Sequence, residues 1–128
     1  MSLRALAAAL VLGATGPASA APDAQHGEQV YARCLACHAL AYDRVGPRHC
    51  GLLGRRAGSV PGFDYSEAMK HSQLRWDAKT LQRFLADPTG VVPGTRMTYA
   101  GVPDAQDRAD LIAYLEQADR SKLCAASH

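Results

Sequence analysis

The run Cys34-Leu35-Ala36-Cys37-His38 constrains this chain more than any other segment. Two thiols with two residues between them can each add across one vinyl group of a haem, and the imidazole that follows then falls beneath the iron. The two thioethers would tether the porphyrin to the backbone, and His38, held in place by them, would be its proximal ligand. A bare Cys-x-x-Cys would equally suit a redox dithiol or half of a zinc site. The adjoining histidine, in a short chain with an export leader, favours covalent haem over both. A domain this small buries limited apolar surface, so a haem inside it would supply much of the core.

Residues 1–20 have the pattern of a cleaved export signal. Arg4 supplies the positive start, Ala5 to Ala14 a short apolar run, and Ala18-Ser19-Ala20 a small-residue cleavage site. A run of about ten residues is too short for a bilayer that needs about 20 helical residues; an uncleaved anchor is the alternative. Cleavage would leave residues 21–128 as one domain, soluble and periplasmic, with no stable membrane insertion. The formal charge of +2 falls by the one unit of Arg4. With no basic stripe in view, that near balance argues against a nucleic-acid partner. Once Cys34 and Cys37 are assigned to haem, Cys50 and Cys124 remain. In an exported protein that even remainder suggests a disulfide, with two unpaired small residues as the alternative, since sequence does not show their separation.

Three segments read as helices. The first starts at Asp23 or Ala24 and runs into Cys34, with Gly27 and Tyr31 one turn apart on a shared face. The second spans about Asp77 to Asp87, with Asp77 as N-cap, Leu81, Phe84 and Leu85 as the inward stripe, and Pro88 as the stop. The third begins at Asp104, with Asp107 three residues on in the manner of a capping box, and Leu111, Tyr114, Leu115 and Ala118 on its apolar face. A shorter helical turn is expected after Ser66. Between the helices lie two long Gly- and Pro-rich stretches, and alternating strand patterns are missing. The fold class is therefore all-α, a few helices and long loops wrapped around one flat cofactor.

Further motifs extend the reading: Gly46-Pro47, Gly51-Leu52-Leu53-Gly54-Arg55-Arg56, Pro61-Gly62-Phe63-Asp64-Tyr65, Pro93-Gly94-Thr95-Arg96-Met97 and Asp110-Leu111-Ile112-Ala113-Tyr114-Leu115. With them the chain resembles the class I c-type cytochromes, the family of the mitochondrial carrier and its bacterial soluble electron-carrier relatives. The resemblance implies one covalent haem c attached at Cys34 and Cys37, with His38 and Met97 as iron ligands. Met69 is the competing methionine and is expected in the core instead; His26, His49, His71 and His128 lack motif support as ligands. The resemblance also implies that the Pro47 carbonyl accepts the second N–H of His38, and that Arg55, Tyr65, Trp76 and Thr95 contact the haem propionates. Gly27, Tyr31, Leu111 and Tyr114 would form the crossing of the terminal helices.

Several positions depart from that pattern. Phe84 stands where the family commonly has a tyrosine near the methionine sulfur, and Met69 where an asparagine is usual. Most lysines that ring the haem edge in mitochondrial relatives are missing: Thr89, Gly90, Pro103 and Asp104 take several of those places, and Arg33 and Arg96 keep the positive sign. Arg96 cannot replace Met97 on iron at high pH as a loop lysine can, because arginine stays protonated. The resemblance implies an electron carrier and not an enzyme, a monomer that meets redox protein partners such as respiratory or photosynthetic membrane complexes or periplasmic dehydrogenases. The alternatives are a haem subunit of a larger oxidoreductase, or a peroxidase or gas-binding protein if Met97 leaves the iron.

Overall fold

The structure, a computed structural model, describes Met1, residues 10–17 and residues 19–126. The leader's apolar run and its small-residue site fall partly on residues 2–9 and 18, outside the described residues. Among the described residues, no helix is long and apolar enough to cross a membrane. Helices and loops make up the domain, and the nearest approach to a sheet there is an isolated bridge between Arg56 and Arg75.

Helix α1 covers Ala24–Tyr31 and tightens into a 3-10 turn at Ala32–Cys34. Asp23 is extended and caps it, its carboxylate accepting the backbone N–H of Gln25 at 2.9 Å and of His26 at 3.3 Å. This satisfies donors that a helix start leaves unpaired. One turn, α2 (Glu67–Lys70), follows Ser66, whose hydroxyl accepts the N–H of Met69. Helix α3 (Ala78–Ala86) starts at the Asp77 cap and presents the expected stripe inward. Leu81, Phe84 and Leu85 are buried, and each such side chain stabilises the fold by roughly 1.5–3 kcal/mol relative to exposure.

Pro88 follows the end of α3 as expected, yet it also opens a further one-turn helix, α4 (Pro88–Val91). A proline at a first helical position loses nothing, because its missing N–H would have had no partner there. The Asp87 carboxylate caps the new turn through the N–H of Gly90 at 3.1 Å.

Helix α5 spans Ala105–Asp119, and the Asp104 carboxylate accepts the N–H of Asp107 at 2.9 Å. The Asp107 carboxylate is turned towards Arg33, at 3.3 Å, instead of completing a reciprocal box. Helices α1 and α5 cross where Gly27 is buried: a Cβ there would lie 1.9 Å from the carbonyl oxygen of Asp110. Beside the crossing, the rings of Tyr31 and Tyr114 sit 5.2 Å apart. Asp110 is buried, and its carboxylate accepts the N–H of Asp23 at 2.8 Å and the side-chain amide of Gln106 at 2.9 Å, while His26 Nδ1 lies 2.7 Å away. One carboxylate thus locks the start of α1 onto α5.

A last turn, α6 (Lys122–Ala125), carries Cys124. Cys124 is bonded to Cys50, with Cα atoms 5.1 Å apart. The Asp119 carboxylate adds to this strap, accepting the N–H groups of Gly51 at 2.8 Å and Leu53 at 3.2 Å. The loop that follows Pro47 is therefore tied to the end of the chain. Closing a loop with a sequence separation of 74 corresponds to about 4 kcal/mol in the chain-entropy account. The paired variant Cys50→Ser/Cys124→Ser is expected to unfold in urea with about 2–5 kcal/mol less stability. An unchanged midpoint would show that the strap adds nothing.

Candidate functional site

The 3-10 turn that ends α1 continues into the segment Cys34–His38, where the N–H groups of Cys37 and His38 donate to the carbonyl of Cys34 at 3.1 and 2.9 Å. The turn gathers two thiols and one imidazole within five residues. Both thiols are free, Cys34 half-buried and Cys37 exposed. His38 is buried, and its Nδ1 lies 2.8 Å from the carbonyl oxygen of Pro47. A carbonyl oxygen only accepts, so Nδ1 carries the hydrogen and Nε2 presents its lone pair. This is the bond that the resemblance implied for Pro47.

Gly46 makes that approach possible. Its N–H donates to the carbonyl of Cys37 at 2.8 Å, and its backbone lies so close to the His38 ring that a Cβ would meet Cε1 at 2.2 Å. Here glycine is required by proximity to a ring.

Cys34, Cys37, His38 and Met97 all line one cavity of about 520 Å³, and so do Arg55, Tyr65, Trp76 and Thr95. That volume lies within the range of pockets that hold small molecules and cofactors. Trp76 and Arg55 are joined through the backbone, the Trp76 N–H donating to the Arg55 carbonyl at 2.9 Å. The Trp76 ring is buried 4.8 Å from Phe84. The Tyr65 hydroxyl accepts the N–H of Val60 at 3.2 Å. The Thr95 hydroxyl accepts the N–H of Met97 at 3.2 Å, which steadies the loop that carries the half-buried methionine. Met69 is buried in the core cluster on α2 and reaches the same cavity.

Burial sets the electrostatics. It lowers the pKa of His38, an effect partly offset by the bond to Pro47, so the ring stays neutral, as a metal ligand must. Burial pushes the Cys34 thiol up to about 11, opposed by neighbouring Arg33 and reinforced by Cys37. Burial also lowers the pKa of Arg55, although Tyr65 opposes the shift. Two of the guanidinium nitrogens of Arg55 donate to the carbonyls of Cys50 and Arg48, at 3.2 and 2.9 Å, while Nε is buried with no partner. A buried cationic donor left unpaired is costly unless an acceptor meets it. A flat apolar group carrying carboxylates, held by two thioethers and an imidazole lone pair, fits this set of residues.

Sequence reasoning named His49 only as a histidine without motif support as a ligand. Its ring stacks on His38, centroids 4.2 Å apart and planes 22° from parallel, and its Nδ1 lies 3.0 Å from the Tyr31 hydroxyl. The available signal was its position, two residues beyond Pro47. Burial holds its pKa well below the usual histidine value, and His38 and Arg55 add to the effect, so both stacked rings are neutral.

A family model described as cytochrome c matches residues 24–119. The chain is 45% identical over 117 residues to cytochrome c2 of Blastochloris viridis, covering 88% of this chain and 92% of that one. It is 50% identical over 111 residues to cytochrome c2 of Rhodomicrobium vannielii, covering 84% and 87%. Among solved structures, cytochrome cH from Methylobacterium extorquens matches with a TM-score of 0.73 at 43% identity, over 74% of this chain and 98% of that one.

Gly46→Ala tests the packing of the proximal ring. Its methyl group would press on an imidazole already bonded to Pro47, and a loss of about 1–3 kcal/mol is expected in urea unfolding. Unaltered stability would mean that the loop yields freely.

Proposed function

The chain belongs to the cytochrome c family, and from that premise we propose how its own residues hold the cofactor and where it works. It is an electron carrier built around one covalently bound haem c. When bound, the haem supplies an iron that takes up and gives back one electron at a time. Cys34 and Cys37 form the two thioethers. His38 would give its Nε2 lone pair to the iron, and Met97 would give its thioether sulfur. Arg55, Tyr65, Trp76 and Thr95 serve the propionates. The observation that carries this reading is the single cavity that all eight of these side chains line, together with the unpartnered Nε of Arg55 on its wall.

Each residue has a task in electron transfer. The Pro47 carbonyl fixes the tautomer of His38 and raises its basicity. Met97, a soft neutral donor, would favour the reduced iron and raise the potential, and would leave no place there for small molecules to bind. Phe84, Trp76, Leu81 and Leu85 keep water from the buried walls. The protein acts as a carrier and not as an enzyme, in keeping with the cytochromes c2 it resembles. Residues 1–20 are its cleaved export signal, residues 21–128 its working domain, and the periplasm its compartment. There it passes electrons between larger redox proteins.

The two cations retained at the haem edge are already engaged. Arg33 pairs with Asp107 at 3.3 Å, and Arg96 reaches both the carboxylate of Asp64, at 3.2 Å, and its carbonyl, at 2.8 Å. Steering by charge needs a coherent field, and paired arginines supply little of one.

The deciding experiment is an optical spectrum with a Met97→Ala variant beside the parent protein. The ferric parent should show a weak sulfur-to-iron band near the red edge, and its ferrous form should bind carbon monoxide slowly. The variant should lose the band and bind carbon monoxide rapidly; rapid binding by the parent would favour a gas-binding or peroxidase role instead. Phe84→Tyr should raise the reduction potential in a potentiometric titration, because a hydroxyl donating to the Met97 sulfur would weaken its donation to iron. A constant potential would remove Phe84 from the account. Electron-transfer rates with a redox partner should vary little with added salt, and a steep fall would show that a charged docking surface exists.

A further inference from the structure

His49 has no part in the scheme above, yet its ring stacks on that of the candidate iron ligand. Three features define its setting. Its backbone N–H is shared between the carbonyls of Ala39 and Leu40, both at 3.1 Å, so the main chain is pinned to the segment that follows His38. Its ring lies nearly parallel to that of His38 at 4.2 Å. Its Nδ1 meets the hydroxyl of Tyr31 at 3.0 Å, and the Tyr31 ring stands edge-on to it at 5.6 Å. Tyr31 is in turn fixed by the helix crossing, against Tyr114. An unbroken series of contacts therefore joins the crossing of α1 and α5 to the imidazole plane.

A single hydrogen bond from Nδ1 to Pro47 leaves His38 free to rock about that bond. A flat ring stacked on its face removes this freedom, provided that the second ring is itself held. The Tyr31 hydroxyl and the two backbone acceptors hold it. Aromatic side chains gain from such offset stacking beyond the area they bury, and a leucine or valine at position 49 would fill space without imposing a plane.

We propose that His49, anchored by Tyr31, is a positioning residue that sets the orientation of the His38 imidazole plane about its bond to iron. The inference rests on His38 as the iron ligand. The plane of an axial imidazole selects which iron d orbital overlaps with it, so its orientation is read in the ferric protein without any assay of electron transfer. The readouts are the pattern of haem-methyl proton shifts and the low-temperature electron paramagnetic resonance g-values.

The experiment compares His49→Ala, His49→Phe and Tyr31→Phe in the intact haem-loaded protein, alongside urea unfolding. His49→Ala is expected to change the order or spread of the haem-methyl shifts and to move the g-values. His49→Phe, which keeps a flat stacked ring but loses the bond to Tyr31, should shift both by much less than His49→Ala, and by about as much as Tyr31→Phe. Tyr31→Phe deletes the hydroxyl alone, retains the ring packing with Tyr114, and should shift both readouts in the same sense as His49→Ala by a smaller amount. If His49→Ala does not fold, the Tyr31→Phe comparison decides. Stability that falls while both spectra stay at parent values, in every variant that folds, would overturn the proposal and leave His49 as packing only. Failure of the underlying ligand assignment looks different: the parent itself would then lack the low-spin signature of an imidazole-bound iron.

Discussion

The 2.8 Å hydrogen bond from His38 Nδ1 to the Pro47 carbonyl is the constraint on which the rest of the site depends. It determines the tautomer, and the tautomer determines that Nε2 is left as a lone pair. It also needs a loop backbone lying against an aromatic ring, which explains Gly46 in that place. The loop in turn needs something behind it. The Cys50–Cys124 bond and the Asp119 carboxylate provide that backing from the far end of the chain. Residues separated by most of the sequence thus act on one imidazole.

The apolar side chains divide between two tasks. Leu111, Leu115, Leu81 and Leu85 bind helices to one another and also line the cavity, so the same surface serves both helix packing and cofactor contact. A small domain gains little from its own core alone, and a large flat group in contact with that surface would add the burial the polypeptide lacks. Stability and cofactor content are then expected to move together in this fold.

Much of this architecture was legible because its signals are local. The caps at Asp23, Ser66, Asp77 and Asp104 are short-range chemistry, in which a side-chain oxygen meets an N–H two or three residues on. The turn at Cys34–His38 is equally local. The pairing of Cys50 with Cys124 was suggested by an even remainder of cysteines, but their separation was not legible, since it depends on how α5 ends. Features that escaped the sequence reading depend on the tertiary arrangement. Pro88 reads as a stop from the chain alone, and only the Asp87 cap turns it into the start of α4. His49 is one of several histidines without motif support until Tyr31, 18 positions away, is brought beside it. The neutralisation of Arg33 and Arg96 likewise depends on Asp107 and Asp64, 74 and 32 positions distant.

The bridge between Cys50 and Cys124 has a consequence for biogenesis. Its two sulfurs must be oxidised, whereas the sulfurs at Cys34 and Cys37 must stay reduced if they are to receive haem as proposed, and all four share one compartment. If the chain is exported as proposed, Cys124 emerges last of the four, while Cys37 lies only 13 positions from Cys50. By loop-closure entropy the short wrong pairing is favoured over the long correct one by about 1.5 kcal/mol in the unfolded chain. Early thioether formation at Cys37 would remove that competitor, so attachment first and oxidation second is the order that protects this polypeptide from scrambling.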